Sequence, residues 1–94
     1  MAGSTSVQPV VEHLAERYME NHPDEIVNVQ GSGSTAGIRA ALSGAAAIGM
    51  ASRELEPSET GLERFLIARD AIAIIVHPLN PMKKLTTAQL RDIF

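Results

Sequence analysis

Six apolar residues, Val7, Val10, Val11, Leu14, Tyr18 and Met19, recur at helical spacing and predict an amphipathic helix from Val7 to Asn21. Pro9 suits its first turn, Thr5 or Ser6 can cap it, and His22-Pro23-Asp24 ends it. From Ile26 to Gln30 β-branched residues alternate with polar ones, which predicts a strand. Ser34 to Ser43 reads as a short helix with Ile38, Ala41 and Leu42 inward, closed by Gly44. Ala47 to Ala51 predicts a compact apolar strand, and Pro57 with Ser58 to Gly61 a turn. Leu62 to Ile67 reads as a helical turn leading into a strand, and Ala71 to Val76 as the clearest buried strand. A loop with Pro78, Asn80 and Pro81 follows, then a helix capped by Thr86 or Thr87 that runs to Phe94 with Leu90, Ile93 and Phe94 on its apolar side.

Strands alternating with helices predict an α/β layout with a mainly parallel sheet. The 94 residues allow a single domain with a modest core, and with three aromatic residues that core must be built from Ala, Val, Ile, Leu and Met. A net charge of −3 and no run of Lys or Arg argue against nucleic acid as a partner. The absence of cysteine excludes disulfides and thiolate metal sites. The apolar run from Ala71 to Val76 is far too short to insert across a membrane. No signal peptide is evident, and both ends read as cut. Only Met1 and Ala2 precede a glycine motif that should follow a strand, and the chain stops inside a helix without a C-cap.

The candidate chemistry lies in three hydroxyl-rich segments, each placed to leave a strand or enter a helix. They are Gly3-Ser4-Thr5-Ser6, Gln30-Gly31-Ser32-Gly33-Ser34-Thr35-Ala36-Gly37 and Ala51-Ser52-Arg53. Glycine lets backbone approach a ligand, hydroxyls donate and accept, and a helix start offers free N–H groups. Together they describe a cradle for a small oxyanion. Taken singly, Ser4 to Ser6, Ser32, Ser34 and Thr35 read equally well as helix caps, and Arg53 with Glu54 as a solvated pair. Gly31-x-Gly33-x-x-Ala36 also fits a relaxed dinucleotide fingerprint, with Glu54 as the acidic residue downstream. No Gly-Lys-Ser/Thr is present, so a P-loop is excluded. His13, His22 and His77 share no metal-ligand spacing, Asp70 reads as a structural charge, and no serine has the partners of a hydrolase triad.

In order along the chain stand Gly3-Ser4-Thr5-Ser6-Val7 with Pro9, Gln30 to Gly37, Ile48-Gly49-Met50-Ala51-Ser52-Arg53-Glu54-Leu55, Ala68 to Val76, Asn80-Pro81 and Leu85 to Phe94. This series resembles the phosphate-binding proteins of bacterial and archaeal ABC phosphate importers. The resemblance implies a partial type II periplasmic-binding-protein lobe, three-layered with a mainly parallel sheet, spanning residues 1–94 and lacking the second lobe. It implies an extracytoplasmic parent that serves an ABC permease, is not an enzyme and needs no cofactor. Phosphate contacts would come from Thr5 and Ser6 in the first loop, Gly33 and Ser34 in the second, and Ser52 with Arg53 in the third. Some members carry an aspartate where Ser52 stands. An acceptor-only carboxylate there selects a protonated oxyanion, a rule that Ser52 cannot impose. The fold that the family needs also draws a strand from a later part of the chain. Its absence leaves Ile48, Met50, Ile72, Ile74 and Ile75 at an open edge and implies a homo-oligomer that joins through Ala71–Val76 and Leu85–Phe94. The sequence also admits a Rossmann-like fragment of an oxidoreductase and an oligomerising fragment without ligand.

Overall fold

A computed structural model describes residues 1–94. Its sheet is built around the head of the chain. Strand β1 (Ala2–Gly3) pairs in parallel with β2 (Gln30–Gly31) on one side and β3 (Gly49–Met50) on the other, giving the order β2-β1-β3. The strand that the first glycine motif requires is therefore present, although only two residues precede the motif's glycine. Pairing extends slightly beyond the strands: Gln30 N–H donates to Met1 O at 3.0 Å and Ser4 N–H to Met50 O at 2.9 Å.

Helix α1 (Gln8–Asn21) connects β1 to β2, and α2 (Ser34–Leu42) connects β2 to β3. Parallel crossovers are right-handed almost without exception, so the reversal of direction about β1 sets the two helices on opposite faces of the sheet. On α1 the packed stripe is narrower than the sequence pattern predicts. Val11 and Ala15 are buried, while Val10, Leu14 and Tyr18 are about half exposed. Three strands of two residues each cover only the i, i+4 row of a facing helix. The helix ends where predicted: His22 N–H returns to the carbonyls of Tyr18 and Met19, and the rings of Tyr18 and His22 stack at 4.1 Å. The Tyr18 hydroxyl donates to Glu25, which holds the phenol proton and raises its pKa.

Helix α2 lies very close to the sheet. A Cβ on Gly37 would stand 2.4 Å from Gly3 Cα and 2.6 Å from Ala2 O, so only glycine permits this approach. Ile38 and Met50 are buried beside it and supply most of the core with Val11 and Ala15. Leu42, expected inward, is exposed.

Beyond β3 the structure departs from the predicted pattern. The strand Ile26–Gln30 shrinks to Gln30–Gly31, leaving Ile26 exposed, and Ala47–Ala51 shrinks to Gly49–Met50, leaving Ile48 half exposed. Leu62 to Ile67 forms neither helix nor strand. Ala71 to Val76 pairs with no strand, and Ile72 and Ile75 are about nine-tenths exposed. A strand needs a neighbour for its N–H and C=O groups, and here β3 bonds only to β1. Met82, whose apolar side chain would place it in the core, is likewise exposed. Local signals hold better. Turns close at Glu56–Glu59 and His77–Asn80, and α3 (Thr87–Ile93) starts from a full capping box in which Thr86 and Gln89 exchange hydrogen bonds. The architecture is α/β with a small parallel sheet, as a partial lobe requires.

Candidate functional site

All three hydroxyl-rich segments leave the carboxyl ends of adjacent parallel strands. Order β2-β1-β3 makes β1 the point where the chain reverses direction, and open α/β sheets bind ligands in the crevice outside such a point. After β1 comes Ser4, which is buried; after β2 come Ser32 to Thr35; after β3 come Ser52 and Arg53.

Ser52 is the junction. Its hydroxyl accepts from Ser4 Oγ at 3.0 Å and lies 3.2 Å from Ser34 Oγ, while its N–H donates to Ser34 Oγ at 3.1 Å. One residue from each loop thus meets in a single hydroxyl chain. Gly33, at φ +86°, turns the backbone out of β2 and stands as the N-cap of α2. No side chain caps that helix, so Ser34 and Thr35 do not serve as caps and the N–H groups of its first turn stay open. Gly3 O accepts both Ser32 N–H and Gly33 N–H, which binds the turn to β1. The caps proposed for α1 are also absent: Val7 holds the N-cap position without a side-chain bond, leaving the Thr5 and Ser6 hydroxyls uncommitted.

An open concavity of about 700 Å³ lies over the start of α2, lined by Ser32, Gly33, Ser34, Thr35, Ala36, Arg39 and Arg53. Of the residues predicted from sequence, Gly33, Ser34 and Arg53 line it, and Ser52 bonds directly to Ser34. Thr5 sits elsewhere along the strand ends, its methyl group against Gly31. Ser6 is exposed and bonds to none of the others. Ser4, Thr35 and Arg39 belong to the arrangement but were not singled out by the motifs as ligand residues. Ser4 carried a signal in its own motif, whereas Arg39 lies a turn and a half into α2, where an arginine reads as surface charge.

The solvated pair of Arg53 with Glu54, the alternative reading of this segment, does not form. Arg53 instead grips Glu59 through both terminal nitrogens, at 2.7 and 2.9 Å, and reaches Thr35 Oγ1 at 3.3 Å and Glu54 O at 2.8 Å. Glu54 pairs with Arg64. Glu59 also accepts from Glu56 N–H at 2.8 Å. The Arg53 guanidinium and this N–H hold the Glu59 carboxyl down at about 2, and Glu59 in turn raises Arg53.

A family model described as the PBP superfamily domain matches residues 1–94. The chain belongs to the PBP superfamily. Its relatives in that superfamily include Phosphate-binding protein PstS 2 of Streptococcus agalactiae, 44% identical over 96 residues that cover 100% of this chain and 33% of the relative. Phosphate-binding protein PstS 2 of Streptococcus pneumoniae is 41% identical over 95 residues, again with 100% of this chain and 33% of the relative. Phosphate-binding protein PstS of Bacillus subtilis is 30% identical over 99 residues, with the same coverage. The chain spans about a third of the length of the curated relatives it matches. No solved structure matches it. The PBP-superfamily match and these relatives agree with the resemblance drawn from the motifs, and they do not favour the dinucleotide reading.

Proposed function

We propose that this chain forms one wall of a phosphate-binding cleft in the solute receptor of an ABC phosphate importer, and that it binds its ligand without transforming it. The observation that carries this reading is the meeting of Ser4, Ser34 and Ser52 at the carboxyl ends of three parallel strands, beside an uncapped helix start. Hydroxyls and N–H groups suit an oxyanion that both accepts hydrogen bonds and carries protons of its own. Thr5, Ser6, Gly33, Ser34 and Ser52 are the residues proposed to contact the phosphate; Arg53, also expected there, lines the same concavity but is held by Glu59. The full-length protein would work outside the cytoplasmic membrane with an ABC permease, as the motif resemblance implies, and the names of its relatives speak for phosphate as the ligand. No helix of this chain is long and apolar enough to cross a membrane.

One wall leaves half of the oxyanion in water, where each contact is weak. Binding by the chain alone is therefore expected near the millimolar range, about 4 kcal/mol. Titration with inorganic phosphate, followed by amide chemical shifts, should move Gly33, Ser34, Thr35 and Ser52 first, and NAD should leave them in place. Ser34→Ala with Ser52→Ala should abolish the phosphate response. Shifts confined to other segments, or a response to NAD alone, would refute the proposal.

Self-association is a separate part of this reading. Only the exposed side chains of Phe65, Ile72, Ile75 and Phe94 speak for it. The contact would run through the 71–76 and 85–94 segments, and sedimentation of a monomer at micromolar concentration would reject it.

A further inference from the structure

Two arginines line the concavity, and their situations differ. Each terminal nitrogen of Arg53 donates twice: Nη1 to Glu54 O and Glu59 Oε2, Nη2 to Thr35 Oγ1 and Glu59 Oε1. A guanidinium has five N–H groups, so only the Nε–H of Arg53 is left over. The Arg53–Glu59 pair is also shielded, with side chains 30% and 13% exposed. Arg39 lines the same concavity, and its guanidinium has no hydrogen-bond or ion-pair partner. Its charge is felt by Glu59 across the site. Of the two cations that the lining supplies, one is already neutralised by a carboxylate of the chain itself.

We propose that Glu59 sets the charge preference of this cradle: by filling the donors of Arg53 it leaves Arg39 as the one cation free to meet an oxyanion, and so tunes the site to a singly charged anion. The inference rests on the phosphate reading above and names a specificity-determining residue for it. Glu59 acts through Arg53 and touches no ligand, so it is a positioning residue. The other charges near this pair are few. Glu56 faces Arg53 and adds to its pairing, Glu54 is turned to Arg64, and Arg39 faces Glu59. Glu59 stays ionised through the whole range in which phosphate changes its charge, so the preference belongs to the wild-type chain at any ordinary pH.

The test is a phosphate titration of the full chain at about pH 5 and about pH 9, on either side of the second ionisation of a phosphate group. It compares wild type, Glu59→Gln, and Glu59→Gln combined with Arg53→Gln. Any charge elsewhere in the chain that differs between the two pH values is common to all three variants and cancels in the ratio of affinities. Releasing Arg53 adds a second cation, which favours the dianion. E59Q should therefore gain more at high pH than at low pH, by about threefold, the scale of a partly exposed ion pair. The double variant should return the ratio to the wild-type value. A change equal at both pH values, or a loss at both, would overturn the proposal. Side-chain NMR of the wild type supplies a second readout that does not depend on how E59Q folds. The Arg53 guanidinium should rotate slowly and that of Arg39 fast. Fast rotation at Arg53 in a chain that binds phosphate ends this inference alone. A wild type that takes no phosphate ends the functional reading and this inference with it.

Discussion

At the scale of single residues, the site depends on two kinds of fit. The first is steric. Gly37 packs directly on the backbone of β1, and Gly37→Ala would drive a Cβ to 2.4 Å from Gly3 Cα. Backbone atoms cannot turn away as a flexible side chain can, so α2 must lift from the sheet. The expected loss is about 1–3 kcal/mol of stability, read by denaturant unfolding, with the Ser34–Ser52 contact weakened in the same variant. The second kind of fit is electrostatic. Glu59 titrates at about 2 in the folded chain against an ordinary 4.5. A depressed carboxyl stabilises the fold above its unfolded pKa and loses that contribution as pH falls toward the folded one. Stability should therefore decline between about pH 4.5 and pH 2, and Glu59→Gln should flatten that part of the profile in an acid unfolding series. An unchanged profile would place the Arg53–Glu59 pair outside the folded unit. Motif reading found Ser34 because a glycine-serine turn advertises itself, and Ser52 because a hydroxyl and a cation follow an apolar strand. It offered the adjacent Glu54 as the alternative partner of Arg53, whereas the backbone turn at Glu56–Glu59 brings the more distant Glu59 into bidentate range.

At the scale of elements, the three helices divide by what holds them. α1 and α2 were legible from periodicity, and both have a sheet to pack against. α3 was legible from its cap. It has no buried residue, so its stability is local, resting on the reciprocal bonds of Thr86 and Gln89. Thr86→Ala removes that box and should cost about 1 kcal/mol of helix stability. The carbon chemical shifts of residues 87–93 should then move toward coil, while those of α1 and α2 stay put. Coil-like shifts in the wild type would show that the cap alone does not sustain a seven-residue helix. Strands fared worse than helices. Ala71 to Val76 has every intrinsic property of a buried strand, yet intrinsic preference cannot supply the neighbouring backbone that a strand requires.

At the scale of the whole molecule, surface outweighs core. Seven of the 94 residues are buried, and the accessible surface is 7974 Å². A compact protein of 10.0 kDa would expose about 5,200 Å². The radius of gyration is 17.7 Å, against about 12 Å for a compact domain of this length. The excess lies in the second half of the chain, where Phe65, Ile72, Ile75, Leu79 and Phe94 face outward. Unfolding should accordingly be shallow in denaturant, and a dye that reports apolar surface should bind the native chain strongly. Phosphate at concentrations well above its dissociation constant should raise the midpoint of that transition. A sharp transition without dye binding would mean that the second half is packed away in solution.

The sequence by itself determined what is local: the helix periodicities, the capping box, the turns, and the glycine and serine motifs whose order carries the superfamily. These depend on residues a few positions apart, so their physics is written in the chain. Only the tertiary structure decided that two residues suffice for β1, that Ser4, Ser34 and Ser52 share one hydroxyl chain, and that Glu59 rather than Glu54 takes Arg53. It also decided that the most strand-like segment forms no strand. Each of these turns on a partner far along the chain or on whether a partner is there at all. Burial and pairing belong to the pair, and no single segment encodes them.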